Sequence, residues 1–288
     1  MQTNSPGRID SAYVWMIVPA AVLFTAMLTV PFLTGVFYTF TNYQGYGDWR
    51  FVGLQNYLNL FRDDVIWGSY GFTFLYAITA TILINLIALS IALLLNSKIK
   101  GQTFFRGLFF LPNILPVLIV AYIFQYLFTN NLPAIGEALG WEWLSTSLLA
   151  NENTAWMVIV FVGVWQAVAF NTIIYLAGLQ TVPEEVYEAA SIDGANRWQQ
   201  FLNVTLPGLR PTFVFIFITI TISAFSLFTQ IDVMTSGGPA NATTTLVYHI
   251  IQMGSGRGDV GYGSALSLIF FIIVLAVTLL QRALTKED

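Results

Sequence analysis

The sequence predicts an all-α integral membrane protein of six transmembrane helices, and three observations predict it. Hydrophobic residues fill 56% of 288 positions while charged residues fill only 9%. The mean hydropathy of +0.70 lies outside the range of soluble domains. Six charge-poor intervals each supply the roughly 20 apolar residues that a bilayer span requires. The chain reads as one transmembrane domain over 1–288.

The first helix, 12–40, comes from SAYVWMIVPAAVLFTAMLTVPFLTGVFYTF between Asp10 and Asp48. Its apolar run is too long for a signal-peptide core, and Pro19 and Pro31 interrupt it without a convincing cleavage site, so it is taken as an uncleaved span. The second, 71–96, lies between Asp64 and Lys98, and the third, 107–128, between Arg106 and Glu137. The fourth, 155–180, is bounded by Glu152 and Glu184; the fifth, 211–232, follows Arg210, and the sixth, 263–282, follows Asp259. A further uncharged interval, Val233 to Gly256, is rich in Gly, Ser, Thr and Asn and reads as a loop. Pro19, Pro31, Pro112 and Pro116 sit within these spans, where each removes a backbone donor and favours a kink. Such kinks suit a transport path or an ordinary packing irregularity equally.

Six crossings put both termini on the same side as the second and fourth connecting loops. That side carries Arg8, Lys98, Lys100, Arg106, Arg197, Arg210, Arg282 and Lys286, whereas the other carries only Arg50, Arg62 and Arg257. Basic loops stay inside, so the termini and the loop 181–211 are expected in the cytoplasm.

Composition also narrows function. A net charge of −4 argues against nucleic acid as a partner, and zero cysteines excludes thiolate metal sites and cysteine nucleophiles. The single histidine, His249, argues against a metal cluster or a catalytic triad. No G-x-x-x-x-G-K-[ST] phosphate loop occurs, so the chain does not bind ATP by that device. A secondary carrier needs ionisable groups inside the bilayer, and Asp232 at the outer end of the fifth span is the one near candidate. An intramembrane enzyme lacks its catalytic His, Cys or paired carboxylates.

The loop 184–211, EEVYEAASIDGANRWQQFLNVTLPGLRP, concentrates six charges: Glu184, Glu185, Glu188, Asp193, Arg197 and Arg210. Thr181 and Glu184 fit a capping box at a helix start, with Pro183 in the first turn. The helix EEVYEAAS should break at Gly194 and resume through ANRWQQFLNVTL until Pro207 and Pro211 end it. Its acidic start favours a protein partner over a lipid surface, which prefers basic helices.

Glu188-Ala189-Ala190, then Gly194, then Val204-Thr205-Leu206-Pro207 resembles the EAA loop of binding-protein-dependent ABC transporter permeases, with Val204 where that family has Ile. FVGLQNYLNLF (51–61), KIKGQTFFRGLFFLPNILP (98–116), MTSGGPANATTTL (234–246) and GYGSALS (261–267) resemble segments of its carbohydrate-importing branch; YHIIQMGSGRGDV (248–260) is glycine-rich where the branch carries aromatic residues. The resemblance implies a permease of the bacterial cytoplasmic membrane that pairs with a second homologous permease and an extracytoplasmic solute-binding protein. It also implies two ATPase subunits that hold ATP and magnesium, with no cofactor in this chain. Glu188 is then the polar anchor on the ATPase. Ala189, Ala190 and Gly194 allow close approach, Asp193-Gly194 makes the turn into Ala195, and Leu206 and Pro207 pin the loop to the membrane body.

A neutral sugar needs hydroxyl-matching groups and aromatic faces near mid-bilayer. The midpoints of the fourth and fifth helices offer Trp165, Gln166, Phe170 and Asn171, and Ser223, Ser226 and Leu227. Packing between helices explains the same residues equally well. An anionic solute such as glycerol phosphate, which related permeases carry, should require a cation in the path, and the spans offer none.

Overall fold

The computed structural model describes residues 11–97 and 100–285, with side chains from Trp15 onward. Arg8, Lys98 and Lys286, which enter the charge count across the membrane, lie outside the described residues. Packing divides the chain into two compact units, 1–62 with 250–269, and 63–249 with 270–288.

In the first unit, α1 (Ser11–Phe24) passes through a π turn (Thr25–Thr29) into α2 (Val30–Tyr38). The segment FVGLQNYLNLF then forms the short α3 (Gln55–Leu60). Its Asn56 is buried and donates to the carbonyls of Thr39 at 2.8 Å and Thr41 at 2.9 Å, which satisfies the end of α2. The Asn of that motif is thus a fastener for the end of the first span.

The second unit is organised around α4 (Asp64–Asn96) and α8 (Glu152–Leu179). α4 starts seven positions before the 71–96 expected from hydropathy, because Asp63 caps it by accepting from Val65 N–H at 2.9 Å and Asp64 suits the positive helix start. Asn151 caps α8 in the same way through Asn153 N–H at 2.9 Å. Ala80, Ala88 and Ala92 lie one turn or two apart on α4 and are wholly buried, as are Ala155, Ile159 and Val162 on α8. Small residues at this spacing let two membrane helices approach closely, since van der Waals contact rather than water expulsion holds them. Tyr175 of α8 donates to Asn85 Oδ1 of α4, and Asn85 in turn donates to the Thr81 carbonyl at 2.7 Å. The single histidine, His249, is buried with Nε2 4.0 Å from Asp63 Oδ2.

The third span departs from the continuous 107–128. α5 (Gln102–Ile114) ends at Leu115-Pro116, and α6 (Val117–Tyr126) runs through a π turn (Leu127–Asn131) into α7 (Leu132–Leu139). The stretch long enough to cross a membrane is Val117–Leu139. Pro116 cannot donate, and its ring pushes Leu115 out of the helical region to ψ 129°. Pro112, by contrast, stays inside α5.

The loop 181–211 is more nearly helical than its sequence suggests. α9 (Glu184–Ile192) is followed by α10 (Arg197–Gln200), a π turn (Phe201–Thr205) and α11 (Leu206–Gly208). Thr181 does not cap α9: its hydroxyl donates back to Gly178 O at 2.8 Å, and Pro183 takes the cap position. The capping box stands instead at α10, between Asn196 and Gln199. Pro207 and Pro211 do not stop the helix, because each sits in a first turn where no intrahelical donor is needed. The helix 197–208 bends by 65° into α12 (Arg210–Phe225).

α12 stops at Phe225, short of the 232 expected, and α13 (Thr229–Met234) follows a break. Val233 to Gly256, expected as a loop, contains α14 (Leu246–Ile251) and a further π turn (Gln252–Gly256). Thr245 accepts from Tyr248 N–H at 3.2 Å, as an N-terminal cap does, and donates to Leu227 O at 2.8 Å. The loop's threonines are therefore structural fasteners, which composition alone does not distinguish from loop polarity. α15 (Val260–Thr285) carries the last span, and its Gln281 donates to Thr221 of α12 at 2.8 Å. Five described helices are long and apolar enough to cross a membrane, and six do if the bent pair ending in α12 makes one crossing.

Candidate functional site

A cavity of about 480 Å³ opens among α4, α8, α12, α13 and the broken third span. Its α8 wall is one helical face, Gly163, Gln166, Ala167, Phe170 and Asn171, at i, i+3, i+4, i+7 and i+8. α12 and the turn after it add Thr219, Ser223, Ser226 and Leu227. Six of the seven positions expected along a substrate path thus line one space: Gln166, Phe170, Asn171, Ser223, Ser226 and Leu227. Trp165 does not join them. It neighbours Gln166 in sequence but points about 100° round the helix, into a larger apolar cavity of about 700 Å³ bordered by Pro112, Trp156 and Phe161. There it packs edge-on against Phe124 at 5.1 Å.

Among the described residues, no charged side chain lines the polar cavity. Phe170, Ser223 and Ser226 are exposed at its rim, while Tyr76, Asn171 and Gln230 are buried at its floor. Several of its polar groups are already engaged. Asn171 donates to Ala167 O at 2.8 Å, and Ser226 donates to Ile222 O at 3.0 Å. Gln166 donates from Nε2 to Leu115 O at 3.0 Å, so it resatisfies the carbonyl that the Pro116 break releases. Gln166→Leu is expected to destabilise the protein by about 0.5–2 kcal/mol, the net value of one such bond. Thermal unfolding in detergent measures it, and an unchanged midpoint would remove that role.

Tyr76, Asn113, Gly163, Thr229 and Gln230 also line this cavity, and sequence reading missed them. Gly163 had a signal in hindsight, since it shares the helical face of Gln166. Gln230 had none, because the break between α12 and α13 that turns it inward contains neither Gly nor Pro.

The loop forms the second candidate feature. Glu188, Ala189, Asp193 and Gly194 are exposed, with Ala190 and Ala195 half-buried. Gly194 has φ +80°, a conformation that favours glycine, and closes α9. Ala195 N–H bonds Ala190 O at 2.9 Å and Gly194 N–H bonds Ser191 O at 3.1 Å, the double closure of a Schellman turn. Gln200 Nε2 then reaches Ser191 Oγ at 2.9 Å and Ala195 O at 3.2 Å, tying α10 to α9. Leu206 and Pro207, expected to pin the loop to the membrane body, are exposed. The buried residues at that junction are Thr205 and Leu209, and Thr205 Oγ1 lies 3.0 Å from the Tyr187 hydroxyl.

An uncharged cavity with polar groups among apolar helices long enough to cross a membrane, and a hydrophilic loop between two of them, fit a membrane transport protein. Residues 84–287 match the family described as binding-protein-dependent transport system inner membrane component, and the chain belongs to that family. It is 40% identical to the multiple sugar-binding transport system permease protein MsmF of Streptococcus mutans, over 96% of this chain and 95% of that one. It is 34% identical to the probable starch degradation products transport system permease protein AmyD of Thermoanaerobacterium thermosulfurigenes, over the same shares. The fold resembles a chain of a bacterial ABC transporter involved in the import of the acidic polysaccharide alginate, with TM-score 0.81 at 18% identity, over 96% of this chain and 95% of that one.

Proposed function

We propose that this chain is the permease subunit of an ATP-driven importer for a neutral sugar or oligosaccharide. The observation that carries the reading is the uncharged polar cavity, whose 480 Å³ falls within the roughly 300–1,000 Å³ of small-molecule sites. Hydroxyls find amide and hydroxyl partners there, and Phe170 offers an aromatic face. A phosphate or carboxylate would lose its water without gaining a cation, which is costly in a low-dielectric site. That disfavours glycerol phosphate.

The cavity's rim residues face outward from this chain, which suits closure by a second, homologous permease. The loop 181–211 faces the cytoplasm in this reading, with both termini on that side. Glu188, Ala189, Ala190, Asp193, Gly194 and Ala195 form the surface that docks on one of two ATPase subunits, where ATP and magnesium are held. Leu206 and Pro207, flanked by the buried Thr205 and Leu209, lie at the joint between this surface and α12. ATP binding closes the ATPases, the loop carries the motion through the 65° bend into α12, and the cavity turns outward to take sugar from an extracytoplasmic binding protein.

The test is uptake into proteoliposomes holding the complete transporter, with labelled neutral sugars and glycerol 3-phosphate as parallel probes. ATP-dependent, vanadate-sensitive uptake of a neutral sugar is expected. Uptake by this chain alone without ATP would replace the reading with a secondary carrier, and uptake of glycerol 3-phosphate alone would replace the substrate.

A further inference from the structure

Gln230 is 4% exposed, it lines the polar cavity, and its Oε1 has no hydrogen-bond partner among the described residues. A buried acceptor without a donor is uncommon in folded proteins, and one on a side chain that lines a cavity calls for an explanation. The neighbourhood supplies it. Gly163 of α8 lies between Gln230 of α13 and Tyr76 of α4: a Cβ built on Gly163 would collide with the Tyr76 hydroxyl and stand 3.3 Å from Gln230 Oε1. Three helices therefore bring an acceptor and a phenolic hydroxyl to one spot on the cavity floor, and the absent side chain of Gly163 leaves the room that the Tyr76 hydroxyl occupies beside Gln230. Two other amides of the cavity, Asn171 and Gln166, are engaged with the backbone through their NH2 groups.

We propose that Gln230, with the Tyr76 hydroxyl across Gly163, determines specificity by reading one hydroxyl of the substrate. The sugar O–H donates to Gln230 Oε1, and the oxygen of that sugar hydroxyl accepts from Tyr76 O–H. The class selected is a neutral carbohydrate with a free hydroxyl on the ring that reaches the cavity floor. A site built to pair a hydroxyl rejects an analogue without it far more strongly than an apolar pocket rejects an added group. This inference rests on the sugar-import reading above and adds the residue that discriminates.

The complete transporter in proteoliposomes, with its binding protein, provides the test. Maltose, trehalose, melibiose and raffinose are the first probes, and the best transported is followed by its set of monodeoxy derivatives. Each is supplied at concentrations that saturate the binding protein, with loading checked by calorimetry. In the wild type, one monodeoxy derivative is expected to fall about five- to a hundredfold below the others in transport rate, as leaving a buried polar group unpaired implies. Gln230→Met, close to isosteric, is expected to slow the parent sugar by a similar factor and that one derivative no further. Tyr76→Phe provides a second, independent route to the same non-additivity if Gln230→Met fails to assemble with its partners.

Full-rate transport of the parent sugar by Gln230→Met overturns the proposal, because the amide then holds no more than a water. Equal loss for every derivative in the wild type overturns it too. If the wild type carries none of the four sugars but does carry another kind of solute, the sugar reading falls and this inference with it. Transport of a sugar that ignores Gln230 sinks this inference alone.

Discussion

Glu188→Lys in the assembled transporter is expected to abolish ATP-driven uptake while leaving membrane insertion of the chain intact, and Gly194→Trp is expected to do the same. Glu188 is exposed on α9 and supports no other part of the fold by a hydrogen bond among the described residues. Reversing its charge therefore acts on whatever docks there. Against a basic groove, replacing one partner of a desolvated charge pair costs roughly 2–5 kcal/mol, a hundredfold or more in affinity. At Gly194 the reasoning is different. A side chain there meets nothing within 4 Å of its Cβ, so the chain itself tolerates the bulk, and the φ of +80° adds only about 1 kcal/mol of strain. The indole projects from the turn into the space that the proposed partner would occupy. Uptake assays, with membrane content followed by immunoblot and ATPase attachment by co-purification, measure both variants. Wild-type uptake in both would remove the coupling assignment.

On the proposed reading the loop can transmit motion because it is braced. The Schellman closure at Gly194, the capping box at Asn196 and the Gln200 amide lock α9 and α10 together, while Tyr187 and Thr205 join the start of the loop to its end. A push on α9 then reaches the bend at Leu209 as a displacement of one body. Slack linkers would absorb it.

The apolar runs made the long helices legible, because length and the lack of charge are written locally. α8 and α15 start and end within about three residues of the sequence estimate. The turn at Asp193-Gly194 was legible for the same reason, since a lone glycine after a helical run marks a left-handed stop. Less legible was anything decided by a distant partner. Pro112 and Pro116 carry the same sequence signal, yet only Pro116 breaks its helix, and the carbonyl released there is satisfied by Gln166, 51 positions away. Thr243, Thr244 and Thr245 look like loop polarity until their hydroxyls are seen holding Gly238, Gly237 and Leu227. In the cavity, the right stretch of α8 was found but not its face. Trp165 and Gln166 were grouped by sequence position, and the 100° step of the helix sends them into different spaces.

That separation makes the second large effect a test of where the substrate passes. Ser223→Trp is expected to stop sugar uptake, whereas Trp165→Leu is expected to leave the rate within about twofold of wild type. Ser223 sits at the exposed rim of the polar cavity on α12 and makes no side-chain hydrogen bond among the described residues, so an indole there enters the cavity without breaking an existing contact. Trp165 lies among apolar side chains, and its loss removes an edge-on contact with Phe124 worth about 1 kcal/mol of stability. Initial uptake rates of the two variants, normalised to assembled complex, measure the difference. The larger cavity is the tempting route by size alone, but its wall offers a hydroxylated solute almost nothing to exchange for water, and every sugar hydroxyl stripped there would go unpaired. Should Trp165→Leu block transport and Ser223→Trp permit it, size would have outweighed hydrogen bonding and the path would run through the apolar space.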